Sequence, residues 1–153
     1  MPPAHTAELG ELLARRGFVC HAMVRNQTGH LQLAGSLNGQ PVDLLVDTGA
    51  SATVVDLGYC QSHGIPIKQT AAQGGGAGSA ALAIYALEGA ELQIGGSPIP
   101  PAKVRAIDLS HVNESLIRKG AGPIQGVVGA DLLLRHEAVI DYANLSLFLR
   151  LAA

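Results

Sequence analysis

The stretch DLLVDTGASATVVD, Asp43 to Asp56, drives an apolar strand into an aspartate and then places Thr48 and Gly49 directly behind it. Aspartate is a poor strand residue and is seldom buried without a partner. Its position at Asp47 therefore asks for a chemical reason. Thr48 brings a hydroxyl that can bond backbone. Gly49 lets the chain come close to the carboxylate and offer an amide with no Cβ in the way. Ala50 and Ser51 continue the turn, and a two-apolar-then-glycine run, Val127-Val128-Gly129, stands downstream ahead of Ala130-Asp131-Leu132-Leu133.

Working outward, 153 residues suit one domain with a real core. Hydrophobic residues make up 48% and charged residues 14%, which excludes a disordered or heavily solvated chain. Nineteen glycines and eight prolines favour many turns and short strands over a helix bundle. With two Phe, three Tyr and no Trp, the core must come from Val, Ile, Leu and Ala. A formal charge of -2 leaves no footprint for nucleic acid.

No apolar run reaches the roughly 18 residues of a membrane span. The first residues lack the basic start and apolar centre of a signal peptide. The compartment stays open between the cytoplasm and a periplasmic domain whose anchor lies upstream. Residues 1–17 read as an N-terminal arm, with Leu9, Leu12, Leu13 and Arg16 spaced for a short amphipathic helix. Residues 18–153 read as the domain proper.

Along that domain, FVCHAMV, HLQLAGSL and PVDLLVD read as strands, DLGYCQSHG as a helical turn, and IQGVVG as a short buried strand. QTAAQGGGAGSAALAIYALEGAELQIGG reads as two long strands about a glycine-rich tip, and AKVRAIDLS as a further strand. HVNESLIRKGAG mixes helix and loop, ADLLLRH is a short helix, and AVIDYANLSLFLRL is a closing hairpin turned at Ala143-Asn144. The sum is mostly β. LQLAGSLNGQPVDLLVD, Leu31 to Asp47, also lies without a gap over LQIGGSPIPPAKVRAID, Leu92 to Asp108. Two related halves, each feeding a loop, are one reading of this echo, and chance in a Leu- and Gly-rich chain is the other.

Cys20 and Cys60 show no CxxC spacing and the six histidines no HExxH, so neither a metal site nor a cofactor is expected. Both cysteines read as buried thiols, with a disulfide the lesser option. GGGAGSA is not followed by lysine and does not meet GxGxxG, so it is no phosphate cradle. Ser51 lacks the GxSxG elbow.

From Leu31 to about Leu151, the Asp-Thr-Gly-Ala-Ser loop, its Val-Val-Gly partner and the closing strands resemble the retropepsin-like aspartic proteases, retroviral-type and single-domain, in their bacterial form. The resemblance implies a closed acid-protease β-barrel with one or two short helices, a flap hairpin and an internal pseudo-twofold. It implies an endopeptidase in which Asp47 is catalytic and Thr48, Gly49, Ala50 and Ser51 support its loop. One Asp-Thr-Gly per chain implies a homodimer, with an aspartate from each copy activating water for attack on a peptide substrate. Gly75, Gly76 and Gly78 fall where the family carries its flap. Ala50 offers no hydroxyl where the secreted two-domain relatives carry Ser or Thr, which implies a mildly acidic optimum.

Asp108, at the echo of Asp47, lacks the following Thr and Gly and reads as a turn residue. Asp43 reads as a solvated strand start and Asp141 as structural. Two other uses stay in view: a dimeric binding or assembly module with little or no proteolysis, and a protease that processes only itself, its arm being the remnant.

Overall fold

The computed structural model describes residues 4–74, 82–99 and 104–151. Helix α1 (Ala4–Arg15) leads in and packs on β1 (Phe18–Ala22), with Leu13 buried; Gly17, at a φ of +86°, turns the chain between them. Strands β2 (Val24–Arg25), β3 (Leu31–Leu37) and β4 (Gln40–Val46) follow. Asn38 and Gly39 join the last two with φ values of +50° and +79°, as a two-residue hairpin turn needs. Next come β5 (Val54–Asp56), α2 (Leu57–Ser62), β6 (Ile67–Gly74) and β7 (Leu82–Leu87). The second half holds β8 (Leu92–Ile94), β9 (Ser97–Ile99), β10 (Arg105–Ile107), α3 (Ser110–Arg118), β11 (Gly126–Val128) and α4 (Ala130–Arg135). Strands β12 (Val139–Asp141) and β13 (Ser146–Arg150) close the chain.

Ten strands share one curled sheet in the order β6-β7-β10-β5-β11-β4-β3-β8-β9, with β2 beside β3. A separate three-stranded sheet runs β1-β13-β12. The fold is mostly β, as the turn-rich composition predicts. The few helices are short and fall where the sequence suggests helix: in the N-terminal arm, DLGYCQSHG, HVNESLIRKGAG and ADLLLRH.

The stretch read as two long strands divides into three. Gly89 at a φ of +64° breaks it, so that β7 pairs with β6 and β10 while β8 pairs with β3 and β9. The short strand β9 was not foreseen. It pairs with β8 around Gly95 and Gly96, where the echoed first half runs straight on to Leu37.

The echo has a structural counterpart. Parallel pairing sets Leu44, Leu45 and Val46 of β4 opposite Gly126, Val127 and Val128 of β11. A second parallel pairing sets Arg105, Ala106 and Ile107 of β10 opposite Val54, Val55 and Asp56 of β5. Between them β5 and β11 run antiparallel, Val54 opposite Val127 and Val55 opposite Gly126. Exchanging β4 with β10 and β5 with β11 returns the same register, so a local twofold passes between β5 and β11.

Strand β4 is buried on both faces, which is why Leu44-Leu45-Val46 reads as an unbroken apolar run. Leu44 and Val46 join the main core with Leu33, Val55, Ile94, Val128 and Leu132. Leu45 turns the other way, into a smaller core with Leu109, Leu116, Ile124 and Val127. At Gly126 a Cβ would lie 2.7 Å from Leu44 Cδ2 and 3.0 Å from the Val54 carbonyl oxygen. A side chain there would push the two parallel pairs apart.

Cys60 is fully buried on α2, where burial, with the Asp56 carboxylate adding to it, pushes its thiol up to about 11. Cys20 corrects the expectation of two buried thiols. It lies exposed on β1, which among the described residues pairs on one side only, and the two thiols are free. The buried polar group of that strand is His21, whose ring nitrogens reach the Leu147 carbonyl oxygen (3.3 Å) and Ser97 Oγ (3.1 Å).

Candidate active site

Asp47 is the first residue beyond β4 and is exposed. Its amide continues the sheet by donating to the Val128 carbonyl oxygen at 3.0 Å. The chain then reverses: the Gly49 amide donates to Asp47 Oδ1 at 2.9 Å, and the Ala50 amide to the Asp47 carbonyl oxygen at 3.1 Å. A Cβ on Gly49 would stand 3.3 Å from Asp47 Oδ1, closer than most side chains tolerate. The carboxylate is thus held by one oxygen against the loop while its head stays in solvent.

The loop is braced from the second half of the chain. The Ala130 amide donates to the Ala50 carbonyl oxygen at 2.7 Å. Buried Thr53 donates its hydroxyl to Asp131 Oδ1 (2.7 Å) and its amide to the same oxygen (2.9 Å), while the Gly129 amide donates to Thr53 Oγ1 (3.0 Å). Gly129 has no room for a side chain, since a Cβ would meet the Ala52 carbonyl at 2.6 Å. Thr53 and Asp131 had no role in the reading of the sequence. Asp131 stood in view beside Val127-Val128-Gly129, but only the parallel pairing of β4 with β11 brings it to Thr53.

Asp108 occupies the twofold-related position after β10. Its Oδ1 accepts from the Ser110 amide at 2.9 Å and from the Ser110 hydroxyl. These two bonds, the hydroxyl first, hold its carboxyl below the ordinary 3.8. It cannot join Asp47 within one chain. Strands β11 and β5 stand between β4 and β10, three interstrand steps or about 14 Å. The pairings also make β10 antiparallel to β4, so the two aspartates leave opposite ends of the sheet.

Asp43 is exposed, as expected, but it lies in the middle of β4 and not at its start, and its amide donates to Gln125 Oε1 at 2.7 Å. Asp141 is buried, and its Oδ1 accepts from the Asn144 amide within the closing turn. Strands β6 and β7 form an antiparallel hairpin whose register shifts between Gln69 and Gln73. The flap candidates Gly75, Gly76 and Gly78 lie outside the described residues.

Among the described residues, cavities adjoin the Asp47 loop on two sides. One, of about 460 Å³, lies beside Thr48 and is lined by Ala130, Leu133, Leu134, Glu137, Ala138 and Ile140; Leu134 is 78% exposed. The other, of about 380 Å³, contains Asp47 itself. Leu45 and the helix α3 residues Val112 and Leu116 give it an apolar part, and Thr28, His30, His111, Ser115 and Lys119 give it a polar one. Sequence reasoning placed no residue of α3 at the site. The signal was present: His111, Val112, Ser115, Leu116 and Lys119 recur at helical spacing and share one face of α3 and its cap.

A family model described as aspartyl protease matches residues 33–132, well over half of the chain. The chain belongs to the aspartyl protease family. Among solved structures, this aspartyl protease family member is similar to a retropepsin-like aspartic protease from Rickettsia conorii. The TM-score is 0.54 at 23% identity, over 87% of this chain and 91% of that one. It is also similar to the retroviral protease-like domain of Ddi1 from Leishmania major, with a TM-score of 0.51 at 18% identity, over 78% and 94% of the two chains. At these identities the likeness shows the retropepsin-like fold. No curated protein matches the sequence significantly. No helix among the described residues is long and apolar enough to cross a membrane.

Proposed function

We propose that the protein is a homodimeric aspartic endopeptidase in which Asp47 of each copy forms the catalytic dyad. The observation that carries this reading is the setting of Asp47, an exposed carboxylate with one oxygen fixed by the Gly49 amide at 2.9 Å, on a loop braced across the local twofold. Hydrolysis without metal needs one group to take a proton from water and another to return one to the leaving amine. Two adjacent carboxylates sharing a proton do both, because close like charges cannot both ionise. The ionised Asp47 accepts a proton as the water oxygen bonds to the carbonyl carbon. The protonated Asp47 of the other copy donates to the carbonyl oxygen. The C–N bond then breaks as the nitrogen gains a proton, leaving an acid and an amine.

The second carboxylate comes from a second copy, because Asp108 leaves the opposite end of the sheet. The cavity beside Thr48, with exposed Leu134 at its edge, supports an apolar contact next to the dyad. Strands β6 and β7 serve as the flap that holds an extended peptide by strand addition, with Gly75, Gly76 and Gly78 of the sequence between them as the proposed substrate contacts.

The test is a peptide-library digest read by mass spectrometry, with Asp47→Asn as control. Cleavage by the wild type and none by Asp47→Asn supports the proposal. Cleavage that survives the substitution removes Asp47 from catalysis. A folded wild-type dimer that cleaves no peptide favours the binding-module reading.

A further inference from the structure

We infer that the cavity containing Asp47 selects a glutamate side chain beside the scissile bond, with Lys119 as the residue that reads its carboxylate; this rests on the endopeptidase reading above. The cavity is built in two parts. Leu45, Val112 and Leu116 offer apolar surface next to Asp47, where a peptide backbone at the dyad would lay the first methylenes of a side chain. The same cavity is also lined by polar and basic groups, with His30, His111 and Lys119. A purely aliphatic side chain would cover the apolar part and leave the basic groups facing solvent alone. Glutamate matches both parts, because two methylenes carry its carboxylate past the leucines.

Among the described residues Lys119 is the one lining group whose positive charge is permanent near neutral pH. It caps the carbonyl end of α3, where the helix dipole favours a cation. Among the described residues the ion pairs are His111–Glu114 (3.9 Å) and Arg150–Glu137 (3.0 Å), so Lys119 is committed to neither. The His30 ring bonds Thr28 Oγ1 through Nδ1, which leaves Nε2 for a ligand. His111 already faces Glu114 and contributes less.

Among the described residues Asp47 is the one carboxylate lining the cavity. In a dimer the shared proton leaves a single negative charge for two such cavities, each with its own lysine. The balance therefore favours an incoming anion. Twofold symmetry repeats the preference on both sides of the scissile bond.

The test uses peptides identical except for Glu, Gln, Leu or Lys beside the cleaved bond, each read twice. Cleavage is measured with wild type, Lys119→Gln and Lys119→Glu. Binding is measured by fluorescence anisotropy on Asp47→Asn and on the same Lys119 substitutions placed in it. For a partly exposed pair the expected Glu-over-Gln ratio in kcat/KM is about fivefold. It falls to about one in Lys119→Gln, and Lys119→Glu prefers the Lys peptide. A wild-type ratio of one or less, or a ratio that both variants leave unchanged, overturns the inference. If the wild type cleaves none of the peptides, the endopeptidase reading falls and the glutamate preference is judged on binding. Binding without that preference, or no binding, overturns it as well.

Discussion

Asp47 and Asp108 each follow a strand held in parallel pairing, and each turns its Oδ1 onto the backbone amide two residues ahead, at 2.9 Å in both cases. After that the two loops part. Between β4 and β5 the chain spends seven residues, 47 to 53, and keeps Asp47 in an open turn. Between β10 and β11 it spends eighteen, 108 to 125, and winds α3 into them. Ser110, the first residue of α3, gives Asp108 its amide and its hydroxyl, so this carboxylate is spent on starting a helix. At the twofold-related place Gly49 has only an amide to give. The comparison teaches that one turn geometry serves two ends, and that the side chain two residues on separates them.

The bracing is also reciprocal. Asp131, from the second half, holds Thr53 in the first loop. Asp56, from the first half, accepts from the Leu109 amide in the second loop at 3.0 Å and also caps α2 through the Tyr59 amide. Each half therefore fixes the other's loop, and the two are expected to unfold together.

The largest effect should come from exchanging the roles of the two aspartates. Asp47→Asn is nearly isosteric but cannot take a proton from water, and peptide turnover should fall by about a thousandfold or more. Asp108→Asn should leave turnover within about twofold and stability within about 0.5 kcal/mol, as for an exposed surface change. Initial rates on one peptide and urea melts of both variants measure this. Equal losses in the two would erase the distinction between the loops.

Glycine substitutions sharpen the contrast at the level of packing. A Cβ on Gly129 meets the Ala52 carbonyl at 2.6 Å and the Ala50 oxygen at 2.9 Å, so Gly129→Ala must displace the Asp47 loop. We expect about 3 kcal/mol of lost stability. Gly122, in the longer loop, has nothing within 4 Å of its Cβ position. Gly122→Ala should be neutral or stabilise by up to about 1 kcal/mol through the unfolded chain. Similar melting shifts for both would mean that the first loop has slack.

Mixing wild type with Asp47→Asn asks whether the dyad spans two copies. With random exchange, verified by mass-tagged subunits, active dimers scale as the square of the wild-type fraction, and equal mixing leaves about a quarter of the activity. Were Asp108 the second catalytic group, each wild-type chain would work alone and about half would remain. A linear dependence with proven exchange would reverse the assignment of the two loops.

The smallest effect concerns acid. Ser110 holds the Asp108 carboxyl below the ordinary 3.8 in the folded chain. The unfolded chain therefore binds this proton first as pH falls, and the stabilisation, complete above about pH 5, is lost as pH drops through the folded value. Asp108→Asn should remove a slight part of the loss of stability between pH 5 and pH 3, read from urea midpoints. A slope identical to that of wild type would mean that the Ser110 bonds do not persist in solution.

What the sequence determined by itself was local. An apolar run ending in Asp-Thr-Gly-Ala-Ser, turn residues at close spacing and an ungapped echo were enough to predict a mostly β chain of the retropepsin-like kind. They also singled out Asp47 and gave Asp108 the part of a turn residue. These features depend on near neighbours in the chain, where residue type governs backbone conformation directly. The tertiary structure decided what long-range pairing decides. Parallel pairing of β4 with β11 brings Asp131 to Thr53 and leaves no space at Gly129. The twist of Gly89 splits one apparent strand between two neighbours. Helix α3, read from its sequence as a mixture of helix and loop, becomes a wall of the Asp47 cavity and carries Lys119 to it. Strand pairing sums many weak contacts over the whole sheet, so no short segment holds the information that places those groups together.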